Sequence, residues 1–117
     1  MPKSKVVVLV VEDVPQVRAT AVRIMEDLGY TVSDTYSGQQ ALIILQAHPE
    51  IEVLFADVRM PGMSGIELAK AAQHLRPDLR IVLTSGSVGQ KDVPADIPFV
   101  LKPWRADDIA EAVTRHS

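Results

Sequence analysis

The feature that most constrains this chain is a pair of apolar runs that each stop on carboxylates. Val6–Val11 ends at Glu12–Asp13, and Ile51–Ala56, apolar apart from Glu52, ends at Asp57. Short runs of this kind suit strands buried on both faces, as in a parallel sheet. The first strand is predicted over Lys5–Val11 and the third over Ile51–Ala56. Tyr30–Thr35, Arg80–Thr84 and Phe99–Leu101 read as the second, fourth and fifth strands. Helical spacing fills the intervals. Val17, Ala21, Ile24, Met25 and Leu28 follow Pro15, which a first helical turn tolerates, and Gly29 stands where a helix-ending C′ glycine would. Ser37 caps a helix running to about Ala47, with Ala41, Leu42, Ile44 and Leu45 inward, and His48–Pro49 stops it. A third helix runs from about Gly65 to Leu75, ended by Arg76–Pro77, and a last one from about Ala106 to Arg115. This alternation predicts an α/β fold, a parallel sheet with helices on both faces. It fails once. A helix is due in Ser85–Pro98, yet Gly86, Gly89, Pro94 and Pro98 fall there with little apolar periodicity, so a short, irregular or mobile element is expected.

A length of 117 residues suits one domain, 1–117. The formal net charge of −3 and the scattered Lys and Arg leave no basic footprint for nucleic acid. The absence of cysteine excludes disulfides, thiolate metal sites and cysteine nucleophiles, and suits a reducing, cytoplasmic setting. Val6–Val11, the longest apolar run, is far short of the ~20 residues a spanning helix needs. The basic start Met-Pro-Lys-Ser-Lys lacks a cleavage site, so it is read as leading into the first strand rather than as a signal peptide.

In open parallel α/β sheets, ligands bind at the carboxyl ends of the strands. Glu12 and Asp13 close the first strand, Asp57 the third, Thr84 the fourth and Lys102 the fifth, so these five side chains should converge. Each has an ordinary reading alone: Asp13 as a helix cap, Thr84 as a β-branched strand residue. Five at one sheet edge are harder to explain that way. Three neighbouring carboxylates repel one another, and a divalent cation removes the conflict. Oxygen-only ligands favour a hard ion, and Mg²⁺ also binds phosphate. A carboxylate beside such an ion can attack a phosphoryl donor and form an aspartyl phosphate. Lys102 would pair with the phosphoryl oxygens and the Thr84 hydroxyl would donate to them.

The stretch Asp57-Val58-Arg59-Met60-Pro61-Gly62-Met63-Ser64-Gly65-Ile66-Glu67-Leu68 resembles, without a gap, the D-x-x-M-P-x-M-x-G-x-E-L signature of bacterial response regulator receiver domains. Val10-Val11-Glu12-Asp13, Leu83-Thr84-Ser85-Gly86 and Leu101-Lys102-Pro103-Trp104 are similar to that family's other motifs, in the same order. The resemblance implies a flavodoxin-like, doubly wound five-stranded sheet in the order 2-1-3-4-5. It implies Asp57 as phosphoacceptor, Asp13 as a direct Mg²⁺ ligand, Glu12 acting through a metal-bound water, and the Arg59 carbonyl as a further ligand. It implies Thr84 and Phe99 as switch residues and Lys102 as the partner of the phosphoryl group. A cis Lys102–Pro103 bond also belongs to the pattern. The chain departs from that pattern in having Glu at the first acidic position, no hydroxyl on Phe99 and a thin fourth-helix region, on which the signalling face of many receivers depends.

The implied function is phosphoryl acceptance from a sensor histidine kinase or histidine phosphotransfer protein, with output through a downstream protein. No separate substrate is turned over. With no effector domain after residue 117, the expectation is a stand-alone receiver, monomer or weak dimer, acting without nucleic acid or membrane. A receiver-fold interaction module whose output ignores phosphorylation is the alternative, and it has no need of Glu12, Asp13, Asp57 and Lys102 together. An aspartyl phosphatase would want a second acid where Arg59 stands, and a flavin site a phosphate-binding loop where Glu12-Asp13-Val14-Pro15 stands. His48, His74 and His116 lie near predicted helix ends, where the helix dipole favours them. Trp104 reads as half-buried packing that could also form partner surface.

Overall fold

A computed structural model describes residues 6–86 and 93–114. Among them, strands β1 (Val7–Val11), β2 (Thr31–Thr35), β3 (Val53–Asp57), β4 (Arg80–Ser85) and β5 (Phe99–Leu101) form one sheet. Its order is β2-β1-β3-β4-β5 and every pairing is parallel. Helices α1 (Pro15–Asp27), α2 (Gly38–Ala47), α3 (Gly65–Leu75) and α4 (Ala106–Thr114) cover both faces.

The apolar runs make this architecture because alternate residues face opposite layers. Leu9, Val11, Leu54, Ala56, Ile81 and Leu83 join the core beneath α2 and α3. Val8, Val10, Val53, Phe55 and Val82 join the core beneath α1 and α4. A strand that must satisfy two cores has no room for a polar residue until it ends, which is why the first polar side chains mark the sheet edge.

The helix boundaries predicted at Gly29 and Ser37 are present, and α3 opens on a cap the sequence reading did not name. Gly29 has φ +94°, a left-handed conformation that suits glycine, and its amide bonds the Glu26 carbonyl at 2.9 Å. Ser37 accepts from the Gln40 amide at the start of α2. Ser64 and Glu67 form a reciprocal capping box at the start of α3. Strand limits shift slightly from the sequence reading: β3 begins at Val53 and includes Asp57, β4 extends to Ser85, and β2 begins at Thr31.

Between β4 and β5 the described residues 93–98 contain no helix. They turn back through a bond from the Ile97 amide to the Pro94 carbonyl (3.1 Å). The rest of the expected irregular element, residues 87–92, lies outside the described residues, as do Lys5, Arg115 and His116.

Candidate functional site

The parallel register sets the site. Asp57 pairs with Thr84 across β3 and β4, and Thr84 pairs with Val100 across β4 and β5. Strand β1 lies on the other side of β3 and delivers Glu12 from the residue after Val11. Asp57 and Glu12 are 5% and 2% exposed. Lys102 reaches back from the end of β5 and donates to both, to Asp57 Oδ2 and, at 3.1 Å, to Glu12 Oε1. The other Asp57 oxygen, Oδ1, accepts from the Arg59 amide at 2.9 Å. The Lys102–Pro103 bond is cis.

The electrostatics follow from crowding two carboxylates around one ammonium. Burial, together with the hydrogen bond and charge of Asp57, pushes the Glu12 carboxyl up to about 7, against the lowering effect of the Val14 amide and Lys102. Burial pulls the Lys102 ammonium down, but the bonds and charges of Asp57 and Glu12 outweigh it and leave its pKa raised.

Asp13 follows Glu12 on the loop into α1 and is partly exposed. It does not cap α1: Val14 stands there, with no side-chain hydrogen bond, and its amide is taken by Glu12 Oε2 at 3.1 Å. Among the described residues, no group of three or more His, Asp or Glu side chains stands close enough to hold a metal ion. Of the three carboxylates expected to converge, the structure ties Glu12 and Asp57 together, with the Lys102 ammonium as counter-charge. The donor chemistry still fits a hard cation. It is oxygen only, it lies at the carboxyl ends of β1 and β3, and two buried carboxylates share one ammonium there.

Thr84 is 1% exposed, and its hydroxyl is engaged on the β5 side. It donates to the Val100 carbonyl (2.6 Å) and accepts from the Trp104 indole N–H (2.7 Å). Phe99 is half-buried and packs with the core beneath α2 and α3. Sequence reasoning missed the Trp104–Thr84 bond. It also missed Arg18, which holds the end of β1 by donating to the Glu12 carbonyl and to Asp34, both at 2.9 Å.

With this geometry in place, comparison with known proteins is decisive. The response regulator receiver domain family matches residues 8–114. The chain belongs to the response regulator receiver family. The receiver is 32% identical to the response regulator receiver protein CpdR of Brucella abortus over 113 residues, covering 92% of this chain and 93% of that protein. It is 34% identical to the sensor kinase CckA of Brucella abortus over 112 residues, 91% of this chain but only 12% of the kinase. A response regulator receiver protein from Pseudomonas putida has the same fold, with a TM-score of 0.85 at 22% identity over 98% of this chain and 100% of that one.

Proposed function

We propose that this receiver accepts a phosphoryl group on Asp57 from a phosphohistidine of a sensor histidine kinase or histidine phosphotransfer protein, and that the acylphosphate switches a protein-binding surface. One observation carries the reading most. In a member of this family, a buried carboxylate ends the central strand β3 with an ammonium already on it. A module indifferent to phosphorylation would gain nothing from burying Glu12 and Asp57 beside Lys102, because buried charge is costly.

In the reaction an Asp57 carboxylate oxygen attacks phosphorus, the P–N bond to imidazole breaks, and the imidazole leaves with the electron pair. Lys102 stays paired with the charge as it moves from the carboxylate to the phosphoryl oxygens. The Arg59 amide keeps the carboxylate oriented. Asp13, Asp57 and the Arg59 carbonyl would hold Mg²⁺, with Glu12 acting through a water. Bound there, the ion would offset phosphoryl charge. Thr84 and Phe99 then shift inward, a two-state change biased by a local charge event. Inverting a 1:99 population takes about 5.5 kcal/mol, within reach of several charge-assisted hydrogen bonds.

The same reading makes 1–117 one receiver domain, working in the cytoplasm without a separately turned-over substrate. Among the described residues, no helix is long and apolar enough to cross a membrane.

The test is to incubate the protein with Mg²⁺ and acetyl phosphate and measure its mass, then repeat with Asp57→Asn. A gain of one phosphoryl group by the wild type alone is expected. No gain, or an equal gain in the variant, overturns the proposal.

A further inference from the structure

The Thr84 hydroxyl carries one proton, and the Val100 carbonyl takes it. One of its oxygen lone pairs takes the indole N–H of Trp104, a residue 20 positions away. Trp104 is itself fixed from two further directions. Its ring meets Phe55 edge-on, with centroids 5.7 Å apart and planes at 67°. The Lys102 ammonium lies 5.5 Å from the same ring. One side chain thus touches the switch threonine, the phosphoryl-pairing lysine and the buried aromatic of β3, the strand that ends on Asp57.

We propose that Trp104 is a positioning residue for the phosphorylation switch: its indole N–H holds the Thr84 hydroxyl on the β5 side in the unphosphorylated protein, and that bond breaks when Thr84 turns to the phosphoryl group. This rests on Asp57 being the phosphoacceptor. The threonine has a single donor, so it cannot serve Val100 and a phosphoryl oxygen at once. Turning also withdraws the acceptor from Trp104, whose N–H must then find water or go unpaired. The indole bond therefore biases the resting state. The bias is modest, because a net hydrogen bond between neutral groups is worth a factor of about two to ten in an equilibrium. Lys102 couples to the same step. As its ammonium follows the phosphoryl oxygens, its position over the indole changes, so the resting bond and the resting cation contact are released together.

Trp104→Phe removes the N–H while keeping an aromatic ring against Phe55. The probe is beryllofluoride with Mg²⁺, followed by backbone amide shifts. Trp104→Phe should bind it about two- to tenfold tighter than the wild type, and the gain should vanish in a Thr84→Ala background, as a coupled pair requires. In the wild type the chain has one tryptophan, so one indole N–H signal reports directly. Its solvent exchange should rise several-fold on saturation with beryllofluoride. Equal or weaker binding by a variant that melts like the wild type overturns the proposal, as does a gain that persists without the Thr84 hydroxyl. If Trp104→Phe does not fold, the wild-type indole decides: unchanged exchange at saturation overturns the proposal. Failure of the wild type to bind at all overturns both this inference and the reading of Asp57. Binding with an unmoved indole overturns this inference alone.

Discussion

Gly65 meets Asp57 backbone to backbone: a β-carbon on Gly65 would stand 2.2 Å from the Asp57 carbonyl oxygen and 2.9 Å from the Val58 α-carbon. The contact is fixed by the bond from the Gly65 amide to the Val58 carbonyl at 2.9 Å. It is how the start of α3 is seated against the end of β3. In most helices glycine to alanine gains up to about 1 kcal/mol. Here the methyl group meets main chain, which cannot swing aside, and overpacking of that kind costs about 1–3 kcal/mol. Gly65→Ala should therefore lower the urea midpoint, and it should slow phosphorylation from acetyl phosphate by displacing the Asp57 carboxylate. A midpoint at or above that of the wild type would show that α3 can slide.

The metal-free protein should lose stability as pH rises toward neutrality. Glu12 is raised from 4.5 to about 7 in the folded state. Between those values the native state binds the proton and the unfolded state does not, so stability falls with increasing pH. The contribution is complete below the unfolded value and gone once pH passes the folded one. Urea unfolding in EDTA at about pH 5 and about pH 8 should show the decline in the wild type and much less of it in Glu12→Gln, which stays neutral. A slope that survives the substitution would assign it to another group.

The same proton should oppose Mg²⁺ at the proposed site. A carboxylate that helps to hold the ion must first be ionised. With the Glu12 pKa at about 7, affinity should weaken about tenfold between about pH 8 and about pH 6. Calorimetry in two buffers of different ionisation enthalpy would detect the released proton near neutrality. Binding that is flat over this range, with no proton released, would take Glu12 out of the metal site.

What the sequence revealed and what it hid divide along physical lines. Strands β1, β3 and β4 were readable because each apolar run must fill two cores at once, and Glu12, Asp57 and Lys102 were readable because strands end where polar groups return. Capping chemistry at Ser37 and the left-handed turn at Gly29 are local, and so they were visible too. The contact between Trp104 and Thr84 was not, because it spans β4 and β5 and depends on how the chain leaves β5. A half-buried tryptophan does carry a donor that needs an acceptor, and that was the available clue. The knot of Glu12, Asp57 and Lys102 without Asp13 was equally hidden: composition names the charges, but only packing decides which ammonium reaches which carboxylate.

Arg76 illustrates the same limit and yields a stability prediction. In the sequence it is only the residue before Pro77 that ends α3. In the structure its guanidinium donates to three carbonyls, Leu45 in the last turn of α2 at 3.3 Å and Pro49 and Ile51 on the connection to β3 at 3.1 Å and 2.6 Å. It therefore joins the end of α3 to the segment that launches β3, the strand that ends on Asp57. Ile51 and Leu45 are buried, so their carbonyls have little water to fall back on, and loss of a charged donor to such groups costs about 1.5–3 kcal/mol. Arg76→Met keeps the apolar stem and should destabilise by about that much. Arg76→Lys should recover little, because a single ammonium cannot fork across three carbonyls. The substitutions lie outside the site, so both variants should still take one phosphoryl group on Asp57 at temperatures where they are folded. Urea midpoints for the three proteins test the staple, and a Lys variant as stable as the wild type would reduce it to a simple charge effect.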